Sequence, residues 1–529
     1  MRRARLRMVL GIALSSIVLG GAQVIAQTAP LDPLAPKLQS DPHNPPRFKK
    51  PTQAQSNAPV GFSPPASGAG STGYDASNNP ARKATTPTSA SAASTSPSDA
   101  PVEPLSPYQE PPPSADSGNS ALAQAPGTPP VELGPIRKPP KKHKAHTEPD
   151  DPYAALGVRA GSFTLYPAVE LIGGYSTNPG NSAGGSGAAL YSAVPELKVQ
   201  SNWSRHELTA DLRGSYTGYS PDQTPTLSRP YFDGKVDGRV DVTSATRIDL
   251  NSHALISTDN PGSPNLQAGL ASLPVFTTVG GTAGIAHRFN RFEIAIKGTA
   301  DRTDYQDSKL TDGTTASNDD RNYNQFGGAL RGSYELTPGV KPYVEVETDT
   351  RRHDLATDFS GYQRNSRGVT GTVGSTFELT RELTGKIGIG YTERNYDDPR
   401  LEKLAGLIGN ASLIWTANAL TTVKFTGTSA ASETVIPGVS GELSRDAGLQ
   451  VDHSFRRWLI GTVKLGFGVD DYVGLDREDK RYTAGIGLTY KFNRNVQLKS
   501  EIRQDWLRSN VTGNDYNATV FLLGVRVQQ

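Results

Sequence analysis

The sequence predicts an all-β fold: a closed, transmembrane, antiparallel up-and-down β-barrel of about 18 strands, preceded by a disordered Pro-rich segment. Three observations predict it. From residue 153 onward the chain is almost continuous period-two alternation of apolar or small residues with polar ones, interrupted by turn residues. The alternating segments commonly reach 11–15 residues, whereas a soluble strand typically has about five or six. Tight turns interleave with mostly long, polar connections, the asymmetry of outer-membrane barrels with short periplasmic turns and longer external loops.

Residues 1–26 read as a signal peptide. Arg2, Arg3, Arg5 and Arg7 form a basic head, Met8 to Leu19 is apolar, and Val24-Ile25-Ala26 fits cleavage before Gln27. The apolar run is shorter than the roughly twenty residues of a spanning helix. No later segment is apolar enough to cross as a helix, so membrane insertion has to use strands.

Residues 27–152 are expected to be a disordered Pro/Ala/Ser-rich periplasmic segment. Residues 28–152 hold 27 of the 40 prolines and only four aromatics, too little apolar surface to offset the entropy of folding. Its one local feature is Arg137-Lys138-Pro139-Pro140-Lys141-Lys142-His143-Lys144. That run reads first as a solvated, self-repelling linker and second as a contact for an anionic polymer of the cell wall or for lipid A phosphates. The remaining residues, 153–529, carry 39 basic and 41 acidic side chains. A balance so near zero gives no reason to expect nucleic acid as a partner.

Eighteen candidate strands follow, from 168–176 and 189–203, through 231–242, 247–258, 420–430 and 442–455, to 495–506 and 517–528. Eight turns are tight: Ser204-Arg205, Thr243–Thr246, around Asn290, Thr337-Pro338-Gly339, Thr380-Arg381, Asn418-Ala419, Arg456-Arg457 and Asn493-Arg494. The connections between them are mostly long, such as 177–188, 220–230, 259–274 and 306–321. A chain that begins and ends on the short-turn side has both termini in the periplasm.

Within the strands, charge keeps to one face. Phe232, Gly234, Val236, Gly238, Val240 and Val242 alternate with Asp233, Lys235, Asp237, Arg239 and Asp241. Val496, Leu498, Ser500 and Ile502 alternate with Gln497, Lys499, Glu501, Arg503 and Asp505. Successive side chains of a strand point to opposite faces, so one face suits lipid and the other water. Aromatics gather near strand ends: Trp203, Trp415, Phe455, Trp458, Tyr490 and Phe492 by the short turns, Tyr305, Tyr396, Tyr472 and Trp506 by the long loops. They are expected to form two interfacial girdles.

The expected lumen-lining residues are Asp237, Arg239, Asp241, Arg247, Asp249, His253, Lys499, Glu501, Arg503 and Asp505. A tight 243–246 turn sets Asp241 opposite Arg247 and Arg239 opposite Asp249. Such pairs read first as wall-stabilising ladders and second as a transverse field that orients a polar solute.

Residues suited to catalysis do not converge. The chain has no cysteine, which removes disulfides, thiolate metal sites and a thiol nucleophile. Beyond residue 152 the histidines are His206, His253, His287, His353 and His453. No two have metal-ligand spacing, only His253 is placed to face the lumen, and His353 reads as long loop. Asp319-Asp320, Asp397-Asp398 and Asp470-Asp471 read as solvated loop carboxylates, because no Ca²⁺-loop spacing accompanies them. Gly184-Gly185-Ser186-Gly187 lies between strands and so is loop, not a phosphate cradle. Neither a cofactor nor a metal is expected, and no enzyme.

The barrel opens with Asp151-Pro152-Tyr153-Ala154-Ala155-Leu156-Gly157-Val158-Arg159-Ala160-Gly161-Ser162-Phe163, followed by Leu165-Tyr166-Pro167 and then Gly173-Gly174-Tyr175-Ser176-Thr177-Asn178. This opening resembles the putative beta-barrel porin 2 family of outer-membrane proteins, over roughly residues 151–529. The resemblance implies a barrel in the cell outer membrane, and some members look associated with export of surface polysaccharide. One feature departs from barrel-assembly signals, which usually end on an aromatic: here the chain ends Val525-Arg526-Val527-Gln528-Gln529, with Phe521 the nearest aromatic.

The expected function is a porin-like channel for small hydrophilic solutes. The alternatives are an outer-membrane component of surface polysaccharide export and a structural barrel tethered to the cell wall. Expected partners are outer-membrane lipid, the barrel assembly machinery and, through the N-terminal segment, peptidoglycan or polysaccharide-export components. A TonB-type transporter would need a folded plug, which a Pro-rich segment cannot supply. No passenger domain or barrel-threading helix precedes the strands, which disfavours an autotransporter.

Overall fold

The computed structural model describes residues 152–379 and 382–529. The expectations for the signal peptide, for residues 27–151 and for the Thr380-Arg381 turn lie outside the described residues.

Eighteen strands make the wall: β1 (Phe163–Ser176), β2 (Ala188–Ser201), β3 (Glu207–Ser220), β4 (Arg229–Asp241), β5 (Thr246–Thr258), β6 (Val275–Phe289), β7 (Phe292–Tyr305), β8 (Tyr323–Tyr334), β9 (Val340–His353), β10 (Ser366–Glu378), β11 (Leu383–Tyr396), β12 (Leu404–Asn418), β13 (Thr421–Ser432), β14 (Gly441–Arg456), β15 (Leu459–Val473), β16 (Glu478–Lys491), β17 (Val496–Ser509) and β18 (Tyr516–Gln528). Each pairs antiparallel with the next, and β18 returns to β1 from Ala168↔Gln528 to Ser176↔Val520, which closes the barrel. Closure removes the two end edges that an open sheet would present to lipid.

The short turns have local causes. In the β4–β5 turn the Thr243 hydroxyl accepts the N–H groups of Ala245 and Thr246, a side-chain substitute for turn hydrogen bonds. In the β6–β7 turn Asn290 takes φ 58°, a left-handed conformation that asparagine tolerates better than most residues.

The first strand begins at Phe163 rather than 168. The residues before it fold back, and Val158–Ala160 pairs with Phe163–Leu165. Pro167 reads in the sequence as a breaker, yet it sits inside β1. Its carbonyl accepts from the N–H of Gln529 at 3.1 Å, just past the end of the β18 ladder. A strand residue directs N–H and C=O to the same side, so the missing N–H of Pro167 falls where the partner strand stops.

Alternation sorts the faces. Leu171, Ile296, Ile389, Leu407, Ile486 and Leu523 are exposed on the outer surface, an arrangement costly in water and required in lipid. Trp203, Trp415, Phe455, Trp458, Tyr490 and Phe492 stand exposed toward the short-turn end, as the sequence suggests. The other girdle differs. Tyr472 is buried, and Tyr305 and Tyr396 are largely covered, because they share their strands' enclosed parity with Thr303, Arg394 and Asp470. Tyr175, Tyr191, Tyr216, Phe467, Tyr482 and Phe521 are among the exposed aromatics toward the long-loop end.

One hairpin breaks the pattern. Pairing of β12 with β13 stops at Ala411↔Gly427, while β13 stays paired with β14 up to Ser432↔Glu442 and β14 with β15 up to Gly441↔Val473. Above Gly427, β13 has left β12. Ala431 and Leu443 belong by parity to the outer face, yet both are buried in a cluster with Leu404 and Ile408 of β12. The tip of the β13–β14 hairpin therefore lies over the enclosed face of β12, with an apolar layer between them.

Candidate functional site

The enclosed face is dense with charge held in pairs. Arg247, fully buried, contacts Asp249 at 2.9 Å and Glu293 at 3.3 Å, and Lys341 approaches Glu293 at 3.5 Å. His253 meets Asp301 at 3.0 Å, Lys297 meets Glu345 at 3.6 Å, and Arg394 pairs with Asp349. Each of these last pairs, and Arg247 with Glu293, joins strands that are next-but-one neighbours. The strand between offers small residues: β6 presents Gly280, Thr282, Gly284 and Ala286. A Cβ at Gly280 would collide with the Asp301 carboxylate. Charged strands separated by small-residue strands thus let long side chains span two ladder spacings, about 10 Å.

At the long-loop end the mouth is bridged. The 259–274 connection turns inward, and its Leu266 and Leu273 pack on Ile172, Leu190, Val520 and Leu522 of β1, β2 and β18. Neighbouring connections support it through Thr226 N–H to the Ala271 carbonyl at 2.8 Å, Ala271 N–H to the Lys309 carbonyl at 2.8 Å, and Arg321 to Asp259 at 2.9 Å. Its Asn265 side-chain oxygen accepts from the Thr434 hydroxyl at 2.7 Å and the Val435 N–H at 3.2 Å. Those two residues belong to the β13–β14 tip, eight strands around the wall.

The tip also reaches the β9 wall. Glu433 places one carboxylate oxygen 2.8 Å from Arg351 Nη1 and the other 3.1 Å from His353 Nε2. In the wall β9 and β13 are four spacings apart, roughly 19 Å, beyond the combined reach of a Glu and an Arg side chain, roughly 10 Å. Only the inward fold of the hairpin brings them together. Arg364 of the 354–365 connection adds a clamp, donating to the carbonyls of Ile436 and Val439, each at 3.1 Å. Burial pushes the Glu433 carboxyl up, but Arg351 and His353, with their hydrogen bonds, outweigh it and hold it well below the usual carboxylate range.

A closed ring of eighteen strands, apolar outside and charged within, now has a family. The sequence profile described as Putative beta-barrel porin 2 matches residues 151–529. The chain belongs to that family. It is a porin-like barrel of the outer membrane. Among solved structures it is similar to the outer membrane protein opdK from Pseudomonas aeruginosa, at 13% identity and TM-score 0.37, over 69% of this chain and 99% of that one. It is also similar to Acinetobacter baumannii OccAB4, at 11% identity and TM-score 0.36, over 69% and 98%. Similarity at that level carries no inference about cargo. No curated protein matches the chain.

In this porin-family barrel the expected register of the β4–β5 hairpin holds, with Arg239↔Asp249 and Asp241↔Arg247. The ion pairs run mainly along strands and to other hairpins. Arg239 contacts Asp241 at 3.1 Å and Glu207 at 2.9 Å, and Asp237 contacts Lys235 at 3.3 Å. Lys499 meets Glu170 at 3.0 Å, Glu501 meets Lys464 at 3.6 Å, and Asp505 meets Arg503 at 3.2 Å. Among the described residues no group of His, Asp and Glu is arranged to hold a metal ion.

Three sequence expectations change. Asp398, read as a solvated loop carboxylate, is buried and accepts from the Gln363 N–H at 3.0 Å and the Arg400 guanidinium at 2.9 Å. His353 ends β9 with a buried side chain, so His253 is not alone among histidines on the enclosed face. Asp470-Asp471 lies within β15, where Asp470 contacts Arg481 at 2.7 Å. The cluster that sequence reasoning missed is Arg351, His353 and Glu433. A signal for it existed. The outer-parity residues of upper β13 are Gly427, Ser429 and Ala431, which offer lipid little bulk.

Proposed function

We propose that the barrel is a channel for small hydrophilic solutes, with Asp237, Arg239, Asp241, Arg247, Asp249, His253, Lys499, Glu501, Arg503 and Asp505 lining the path. The observation that carries this reading is the enclosed polar face of a complete porin-family ring. Balanced charge there favours hydrated passage over capture of one ion. The short turns and both termini face the periplasm in this reading, and the long connections face outward. Residues 27–152 then extend on the periplasmic side, within reach of peptidoglycan or export components, while the wall meets outer-membrane lipid after delivery by the assembly machinery. A channel role, rather than an enzymatic one, accords with the family.

Planar-bilayer recording of the purified chain tests it. Stepwise conductance that survives deletion of residues 27–150 supports the channel. A silent bilayer with both forms overturns it and turns attention to polysaccharide export or a structural barrel. Orientation has its own check, since the chain has no cysteine. A single cysteine at Asp312 should label on intact cells, and one at Ser244 should not.

A further inference from the structure

Most buried arginines of the enclosed face take carboxylates from wall strands. Arg247 has Asp249, Arg394 has Asp349, Arg481 has Asp446 and Asp470, and Arg503 has Asp505. Arg351 is different. Its carboxylate is Glu433, on the hairpin tip beyond the last rung of β13.

The cradle around that carboxylate belongs to the wall. Arg351 and His353 are on β9, and their register partners on β8 are Gln325 and Tyr323. Gln325 accepts from Arg351 Nε at 3.0 Å and so fixes the guanidinium, while the Tyr323 ring packs 5.4 Å from the His353 ring and 5.2 Å from Arg351 Cζ. One oxygen of the carboxylate goes to Arg351 and the other to His353. This two-point geometry is fitted to a planar carboxylate. The ligand in it is carried by the hairpin tip, outside the ladder, and the receptor is built into the ladder.

We propose that the Arg351–His353–Gln325–Tyr323 cradle is a solute subsite for small organic carboxylates, and that Glu433 is a tethered stand-in occupying it. A solute carboxylate exchanges for Glu433 one for one, with no covalent step. The exchange frees the tip from β9 and loosens the bridge across the mouth. The binding site stands on its own geometry; its role in opening rests on the channel reading above.

The test is calorimetric titration of sodium benzoate into the detergent-solubilised full chain, with benzamide as the neutral isostere. A tethered carboxylate competes at an effective concentration in the mM range. Glu433→Gln should therefore bind benzoate at least about tenfold more tightly than the native chain, and benzamide should bind neither. Adding Arg351→Gln to Glu433→Gln should abolish binding, while Arg351→Lys in that background should leave a weakened site. Folded Glu433→Gln, verified by heat-modifiable migration, that shows no benzoate binding overturns the proposal. So does equal binding by the Glu433→Gln/Arg351→Gln pair, or by benzamide. Bilayer recordings separate the two readings: binding without conductance refutes the channel and keeps the cradle, and conductance without binding does the reverse.

Discussion

Substituting Gly441 by alanine tests whether the hairpin tip leaves the wall. In an unbroken barrel the outer parity of this position, at the top of β14, would keep an added methyl group away from Leu404 of β12. Here a Cβ at Gly441 would collide with the Ser432 carbonyl oxygen and lie 2.8 Å from Leu404 Cδ1. Relief through a side-chain rotation is unavailable against a backbone oxygen, so the strain should be about 1–3 kcal/mol. β14 is tied to β15 up to Gly441↔Val473, whereas β13 is free of β12 above Gly427. The part that yields is therefore the tip of β13 with residues 433–440. Its retaining hydrogen bonds are of the same size, about 1 kcal/mol each at Asn265 and about 1.5–3 kcal/mol for the charged pair at Arg351. A cost of about 2 kcal/mol shifts the bridged-to-open ratio by about thirtyfold. Planar-bilayer recording of Gly441→Ala should show that rise in open time, with Gly371→Ala, whose Cβ would meet nothing within 4 Å, as the control. Identical gating in Gly441→Ala, Gly371→Ala and the native protein would refute the inward hairpin.

Asn265→Ala removes the acceptor for both Thr434 and Val435, so open probability should rise severalfold without a change in heat-modifiable melting; a lower melting temperature with unchanged gating would assign Asn265 to the wall instead. Arg247→Met leaves Asp249 and Glu293 buried without their guanidinium. It should destabilise the barrel by about 3 kcal/mol, the low end for a broken buried pair because Lys341 stays near Glu293, as read by chemical unfolding in lipid vesicles. Glu433 supplies the pH prediction. A carboxylate held below its ordinary range contributes stability above its unfolded value and loses it only as pH falls through the lower folded value. Its surroundings are Arg351, His353, Arg364, Arg394, Tyr323 and Tyr396. Open probability should therefore stay level from about pH 7 to about pH 5 and rise only in stronger acid; a rise near pH 6 would count against Glu433 as the fastening.

How much of this was legible in the chain depended on the range of the interaction. Alternation is a local signal, and it gave all eighteen strands, because Val236 and Arg239 must face opposite ways whatever lies across the barrel. Turn chemistry is equally local, as Thr243 and Asn290 show. Boundaries failed where a local rule met a distant exception: Pro167 stops a strand only if a partner needs its N–H, and β18 ends just there. Nearness to loops places Tyr305, Tyr396 and Tyr472 in a girdle, whereas strand parity assigns each to the enclosed face.

The bridge lay beyond local reading. Asn265 and Thr434 are 169 residues apart in sequence, and neither differs in type from dozens of loop residues. Yet the bridge left a trace in what the sequence omits. A strand segment with Gly427, Ser429 and Ala431 on its lipid side gains almost nothing from lipid, whereas leaving the wall lets Leu443 and Ala431 bury against Leu404 and Ile408. The same departure detaches the upper part of β13 from its β12 ladder partner, and the Gly409 N–H of β12 is met there by the Ser429 hydroxyl at 3.0 Å. A serine at an outer-facing position, wasteful against lipid, thus becomes the group that satisfies the exposed edge. In a barrel sequence, a run of small or hydroxylated residues on the lipid parity near a long loop is therefore a sign that the wall turns inward.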